Sequence, residues 1–241
     1  MGGRGISRQL AKMRHDWDQR ARENARHYVV TGQSTWSDEE FYRSGETAMQ
    51  EEILNDLTNI CQGKDPRRMR VLEIGCGAGR VTRALAAFFG EVYAVDISPE
   101  MVRQARQAVA GYPNAHVFAN NGKDLAAIGD RWWNRLGIGE RPQFDFAFSC
   151  MVFQHVSGRD IIENYVRDVH RRLKPGALFK FQVQGSPYSY SNSEDTWVGA
   201  SFTEQQAHDL AGRCGFELRY QHGAGSQYYW LWYFKPDCSA K

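Results

Sequence analysis

Apolar positions along this chain follow two rhythms. Over residues 1–64 they fall at helical spacing: within SRQLAKMRHDWDQRARENARHYVV, Leu10, Met13, Trp17 and Ala21 recur three or four residues apart, the stripe of one helix face. Gly32 breaks the pattern, and Ser37 followed by Asp38, Glu39 and Glu40 predicts a second helix start with acids in its first turn. From Arg70 the rhythm becomes short β-rich runs alternating with helical ones. Strands are expected at 70–74, 91–96, 116–120, 144–149, 177–183, 216–221 and 228–235. Helices are expected from the glycine cluster to about Phe89, from Pro99 to about Ala110, over 159–173 before the stop Lys174-Pro175-Gly176, and over 203–215.

Strands alternating with helices imply right-handed βαβ units and a mostly parallel sheet. The last two strands are joined too closely for a crossover helix, so they pair antiparallel. The expected fold is α/β, a doubly wound seven-stranded sheet with six strands parallel and the last hairpin antiparallel, preceded by an N-terminal helical extension. The expected division is a helical extension or lid over 1–64 and one integrated domain over 65–241. Residues 125–143 read as an irregular helical crossover carrying Trp132 and Trp133.

Composition narrows the class. The chain has 241 residues, 42% of them apolar, enough for a substantial core. A net charge of +2 does not mark a nucleic-acid binder. The five cysteines (Cys61, Cys76, Cys150, Cys214, Cys238) show no zinc spacing, so reduced thiols and a cytoplasmic protein are expected. No apolar run reaches the roughly 18 residues of a membrane span, and the basic face around Arg14, Arg20, Arg22 and Arg26 reads as solvated.

The candidate chemistry lies in VLEIGCGAGRVTRAL, residues 71–85. Its first strand ends at an open loop, Gly75-Cys76-Gly77-Ala78-Gly79, where a ligand can approach backbone closely. In open α/β sheets ligands sit at the carboxyl ends of the strands. Asp96 ends the second strand and is placed to accept both hydroxyls of a ribose. A dinucleotide site wants a third glycine at position 80, where this chain has Arg80, and Glu73 would repel a pyrophosphate. The residues therefore suit an adenosine ligand without phosphates and with positive charge.

These stretches, with VYAVDISPEMVRQAR, FDFAFSCMVFQHV and VHRRLKPGALFKFQV in the same order, resemble the class I S-adenosylmethionine-dependent methyltransferases over about residues 45–235. The resemblance implies that Glu73, Gly75 and Gly77 contact the methionyl part of S-adenosylmethionine, with Cys76 passive in the loop and Gly79 shaping the turn. It implies that Asp96 binds the ribose and that Ile97 and Met101 pack on the adenine. Asp124 or the amide of Leu125 would meet the adenine amine, and Ser149 and Met151 would lie near the sulfonium. Arg80, Arg43 and Tyr42 are candidates for the cofactor carboxylate.

On the acceptor side, His155 follows the fourth strand and is either a general base or a hydrogen-bonded structural histidine. Tyr28 carries a second candidate hydroxyl. Trp17, Tyr28 and Trp36 from the N-terminal segment, Gln154, and Gln184, Tyr188 and Trp197 after the fifth strand are candidate acceptor contacts. The aromatics of the N-terminal segment form either a lid or a packing face. No metal-ligand spacing appears. The expectation is methyl transfer by in-line displacement to an oxygen or nitrogen of a small-molecule acceptor, in a monomer or homodimer without nucleic acid or membrane partners. The alternatives are a methyltransferase acting on RNA or protein, and a non-catalytic regulator that binds the same cofactor.

Overall fold

The computed structural model describes residues 3–128, 142–186 and 196–237; Trp132, Trp133 and Tyr188 lie outside them. The elements, in chain order, are α1 (Gly3–Val29), α2 (Asp38–Glu52), α3 (Leu57–Cys61), β1 (Arg70–Ile74), α4 (Arg80–Phe88), β2 (Glu91–Asp96), α5 (Pro99–Ala108), β3 (Ala115–Ala119), β4 (Phe144–Ser149), α6 (Arg159–Arg172), β5 (Leu173–Val183), α7 (Glu204–Cys214), β6 (Glu217–His222) and β7 (Tyr229–Phe234).

The seven strands form one sheet in the order β3-β2-β1-β4-β5-β7-β6. All neighbours pair parallel except those of β7, which runs antiparallel to both β5 and β6. This is the expected doubly wound sheet. β1 and β4 are almost wholly buried, because helices cover both faces of a parallel sheet and leave no polar side. The aromatic run of β7 lies inside the sheet between two partners, which accounts for its apolarity.

Sequence signals locate most helix ends. Ser37 and Glu40 form a capping box at α2, and Thr203 and Gln206 form another at α7. Ser98 caps α5 ahead of Pro99. The largest boundary difference is at β5, which begins at Leu173, not 177. Leu173 already pairs with Phe144, and the register shifts before Phe146. Gly176, at φ +76°, takes the irregular position that lets the helix stop run straight into the strand.

The order of β1, β2 and β4 sets where a ligand can sit. The chain leaves β1 to one side and β3 to the other, so a crevice opens at the carboxyl ends of β1 and β4. α1 lies across this crevice, interrupted at Asn24. Asp18 accepts from the Ser98 hydroxyl (3.0 Å) and the Glu100 amide (2.9 Å) at the start of α5. On the other side Asp16 accepts from the Thr196 hydroxyl (2.7 Å), and Arg20 donates to the Thr196 carbonyl (3.2 Å). The basic face of α1 is thus only partly solvated: Arg20 stacks over Trp17 and Trp197 at 4.8 and 5.3 Å, and Arg26 pairs with Asp38.

α2 packs on α4 at a point where a side chain would not fit. A Cβ on Gly45 would sit 2.2 Å from the Arg80 carbonyl oxygen. On helix propensity alone Gly45→Ala would stabilise by about 1 kcal/mol. The close approach reverses the sign, and we expect a loss of at least ~2 kcal/mol in urea unfolding. A neutral or stabilising result would mean that the two helices are further apart than described.

Candidate active site

The crevice holds two joined chambers. The first encloses about 920 Å³, part of it open to solvent, and is floored by the glycine loop. Gly75, Gly77 and Gly79 all have left-handed φ, at +75°, +51° and +86°. At Gly75 a Cβ would meet Val152 at 2.2 Å, and at Gly77 it would meet Val29 of α1 at 2.8 Å. The glycines therefore serve both the turn and the close covering of the loop. Gly79 instead lets the start of α4 lie against Ala105 and Ala108 of α5.

Two acids face this chamber. Asp96 accepts from the Gly77 amide on one oxygen and the Ser98 amide on the other, both at 2.9 Å. Burial still pushes its carboxyl up to about 6. Glu73, 4% exposed, is pushed up to about 7, again chiefly by burial. Its Oε2 is buried with no hydrogen-bond partner, as are Nε of Arg80 and the Thr82 hydroxyl. Arg80 is itself buried and donates to the Ser44 carbonyl (2.7 Å). Buried polar atoms are normally paired, so this cluster is set for a ligand bearing both a donor and an acceptor.

A fourth orphan was not singled out from the sequence. Asn120, just past β3, donates to the Tyr165 hydroxyl (2.8 Å) while its Oδ1 has no partner, and it lines the chamber. The signal lay in the register: Ala119 pairs with Asp96, so the next residue reaches the same edge.

The other expected cofactor residues divide. Cys76, Ile97, Met101 and Met151 line the chamber, with the Cys76 thiol raised well above its ordinary value by burial. Ser149 does not: its hydroxyl donates to the Ile74 carbonyl (3.0 Å) and ties β4 to β1. Asp124 is used within its own turn, accepting from Asn121 and Ala126. The Leu125 amide donates to Asp168 (2.6 Å). Tyr42 has its ring 4.5 Å from the Arg83 guanidinium, and Arg43 pairs with Glu39 on the surface. Tyr42 is half-buried against the cluster of Phe41, Ala78 and Met101 but does not line the chamber.

The second chamber, about 1050 Å³ and partly open, shares Tyr28, Val29, Met151 and His155 with the first. Gln154, Gln184 and Trp197 line it, as expected. Trp17 lines the first chamber and packs against His155 and Trp197 at 5.2 and 6.0 Å. Trp36 reaches neither chamber: its indole donates to the Val30 carbonyl (3.2 Å) and its ring packs on Phe41. Tyr28 donates to Glu23 (3.2 Å). Both ring nitrogens of His155 have partners, Nδ1 against the Trp197 carbonyl and Nε2 against the Gln154 amide nitrogen (3.1 Å). Among the described residues no group of three His, Cys, Asp or Glu is placed to hold a metal, and no helix is long and apolar enough to cross a membrane.

Residues 72–179 match the family described as a methyltransferase domain. Both acids, the glycine loop and β1 to β5 lie in or beside the matched stretch. Curated relatives include a tRNA/tmRNA (uracil-C(5))-methyltransferase of Campylobacter hominis, 29% identical over 57% of this chain and 39% of that protein. A ubiquinone biosynthesis O-methyltransferase of Methylobacterium nodulans is 31% identical over 50% of this chain and 46% of that protein. The chain thus spans less than half the length of these relatives. Two solved structures are similar in fold. Magnesium protoporphyrin IX methyltransferase of Synechocystis PCC 6803, with bound SAH, has a TM-score of 0.63 at 15% identity over 92% of this chain and 97% of that one. The N-methyltransferase NodS of Bradyrhizobium japonicum WM9, in complex with S-adenosyl-L-homocysteine, has a TM-score of 0.63 at 12% identity over 94% and 100%.

The raised carboxyl of Glu73 has a stability consequence. A carboxyl that titrates near 7 when folded and near 4.5 when unfolded favours the fold in its protonated form. That contribution is complete below about pH 4.5 and is lost as pH rises through 7. In ligand-free protein, Glu73→Gln should be more stable than the native chain at about pH 8, by up to ~3 kcal/mol. The advantage should shrink toward about pH 4.5. Urea unfolding at the two pH values checks this, and an advantage independent of pH would contradict it.

Proposed function

We propose that this chain transfers a methyl group from S-adenosylmethionine to an oxygen or nitrogen of a small-molecule acceptor. The observation that carries the reading is the pair of raised carboxyls, buried Glu73 and half-buried Asp96, flanking a left-handed glycine loop at the carboxyl edge of the sheet. Bound there, S-adenosylmethionine supplies a methyl group already activated by a sulfonium and leaves as S-adenosylhomocysteine. Everything else falls to the chain: binding, orientation and exclusion of water.

In this reading Asp96 accepts from the ribose hydroxyls with the lone pairs that its two amide donors leave. The orphan Oδ1 of Asn120 accepts from the adenine amine, the role first sought at Asp124 or Leu125. Ile97 and Met101 pack on the adenine ring. Glu73 receives the methionyl ammonium and Arg80 the carboxylate, which would satisfy the unpartnered Oε2 and Nε atoms. Residues 1–64 act as the closing element of a methyltransferase domain over 65–241. Val29 seats on Gly77, and Trp17 and Tyr28 wall the passage to the second chamber.

The second chamber is the acceptor chamber. Its described lining holds no Asp, Glu, Lys or Arg, which suits a neutral small molecule better than a polynucleotide, whose phosphates call for Lys and Arg. The O-methyltransferase and N-methyltransferase names among the similar proteins are consistent with either attacking atom.

Calorimetric titration tests the reading. S-adenosylmethionine should bind in the micromolar range, and Asp96→Ala should weaken it by about 30-fold, ~2 kcal/mol. NAD⁺ should not bind. Near pH 7 the ammonium should displace the Glu73 proton, so the measured enthalpy should change with the ionisation enthalpy of the buffer, an effect absent in Glu73→Gln. Binding of NAD⁺ in place of S-adenosylmethionine would overturn the reading.

A further inference from the structure

Gln182 on β5 has an exposure of 0% in a strand whose neighbours Phe181 and Val183 belong to the apolar core. Burying an amide there is tolerated only if its groups are bonded. Its bonds all lead to the walls of the chambers. Oε1 accepts from the Met151 amide (3.0 Å), while Nε2 donates to Gln154 Oε1 (2.6 Å) and to the Gln227 carbonyl (3.2 Å). Met151 lines both chambers and is one of two described non-glycine residues with left-handed φ, at +58°. Such a backbone persists only where its surroundings hold it.

The chain of bonds continues. Gln154 Nε2 faces His155 Nε2 at 3.1 Å, and His155 Nδ1 faces the Trp197 carbonyl. Backbone groups sit at both ends, and they cannot exchange donor for acceptor. The Met151 N–H requires an oxygen from Gln182, so the Gln182 NH₂ must face Gln154. The Gln154 oxygen must then face Gln182 and its NH₂ must face His155. His155 Nε2 is left as an acceptor, and Nδ1 carries the hydrogen that it donates to Trp197. Side-chain amide orientation and histidine tautomer are ordinarily open assignments; here the two ends fix them.

We propose that Gln182 is a positioning residue of the acceptor chamber. It holds Met151 at the junction of the chambers and, through Gln154, locks His155 in the Nδ1–H form. The inference rests on the second chamber being the acceptor chamber. His155 then meets an acceptor as a packing surface between Trp17 and Trp197, its Nε2 lone pair already engaged, and takes no proton from it. A proton lost from a hydroxyl or amine acceptor leaves by another route.

The test is ¹⁵N NMR of the full chain labelled in its histidine rings, with the His155 signals assigned by their loss in His155→Gln. The native protein should show a protonated Nδ1 and a bare Nε2 at neutral pH. Gln182→Glu removes the NH₂ that faces Gln154. Gln154 must then turn, present its oxygen to His155, and require a hydrogen on Nε2. The charged groups on the residues that neighbour this ring are Arg20, over both indoles, Asp16, bonded to Thr196, and Glu23, bonded to Tyr28. None of them is altered by the substitution. A protonated Nε2 in the variant, against a bare one in the native protein, supports the proposal. A protonated Nε2 in the native protein overturns it, as does a variant spectrum identical to the native one at every pH up to about 9, where the introduced carboxyl is ionised. If Gln182→Glu does not fold, the native spectrum alone still decides the tautomer. Titration with S-adenosylmethionine on the same sample judges the reading of the first chamber separately.

Discussion

The site depends on a single electrostatic imbalance. β1 and β2 are apolar strands in the middle of a covered parallel sheet, yet each delivers a carboxylate, Glu73 and Asp96, to the same edge. Water is largely excluded there, so both acids resist ionisation, Glu73 most of all. Asp96 is relieved by two backbone amides. Glu73 is relieved only in part, by the nearby Arg80. A ligand with fixed positive charge near Glu73 and hydroxyls near Asp96 completes both. A pyrophosphate would worsen both.

The covering of the crevice follows from the same demand. Charges inside a dry site are worth more to a ligand than charges in water, and α1 keeps the site dry. It is tied to α5 through Asp18 and to the segment before α7 through Asp16 and Arg20. The glycines at 75 and 77 allow Val152 and Val29 to come down on the loop. Gly45 allows α2 to seat against the start of α4. Small residues thus set how tightly the chamber closes, and the acids set what it will hold.

Much of this was legible in the sequence because it is written in short-range signals. The alternation of strands and helices, the caps at Ser37, Ser98 and Thr203, and the glycines beside Glu73 depend on residues a few positions apart. What was not legible depends on which way a side chain turns and on bonds made across the sheet. Ser149 ends the right strand but is spent on the Ile74 carbonyl. Tyr42 packs beside the glycine loop's Ala78 cluster, with its ring facing Arg83 rather than the chamber. Asn120 lies four residues before the expected Asp124, and the β2–β3 register brings it to the edge. Gln182 reads as a stray polar residue in a strand until its partners at 151, 154 and 227 are seen together.

The central claim is that the unpartnered Glu73 carboxylate and Asp96 together select a phosphate-free adenosyl ligand with a cationic tail. The most direct measurement is equilibrium binding of S-adenosylhomocysteine against 5′-methylthioadenosine, which keeps the adenosine and the sulfur but lacks the ammonium and carboxylate. The account predicts that S-adenosylhomocysteine binds at least ~30-fold more tightly, because only it can bond to Glu73 and Arg80. Equal affinity for the two would contradict it.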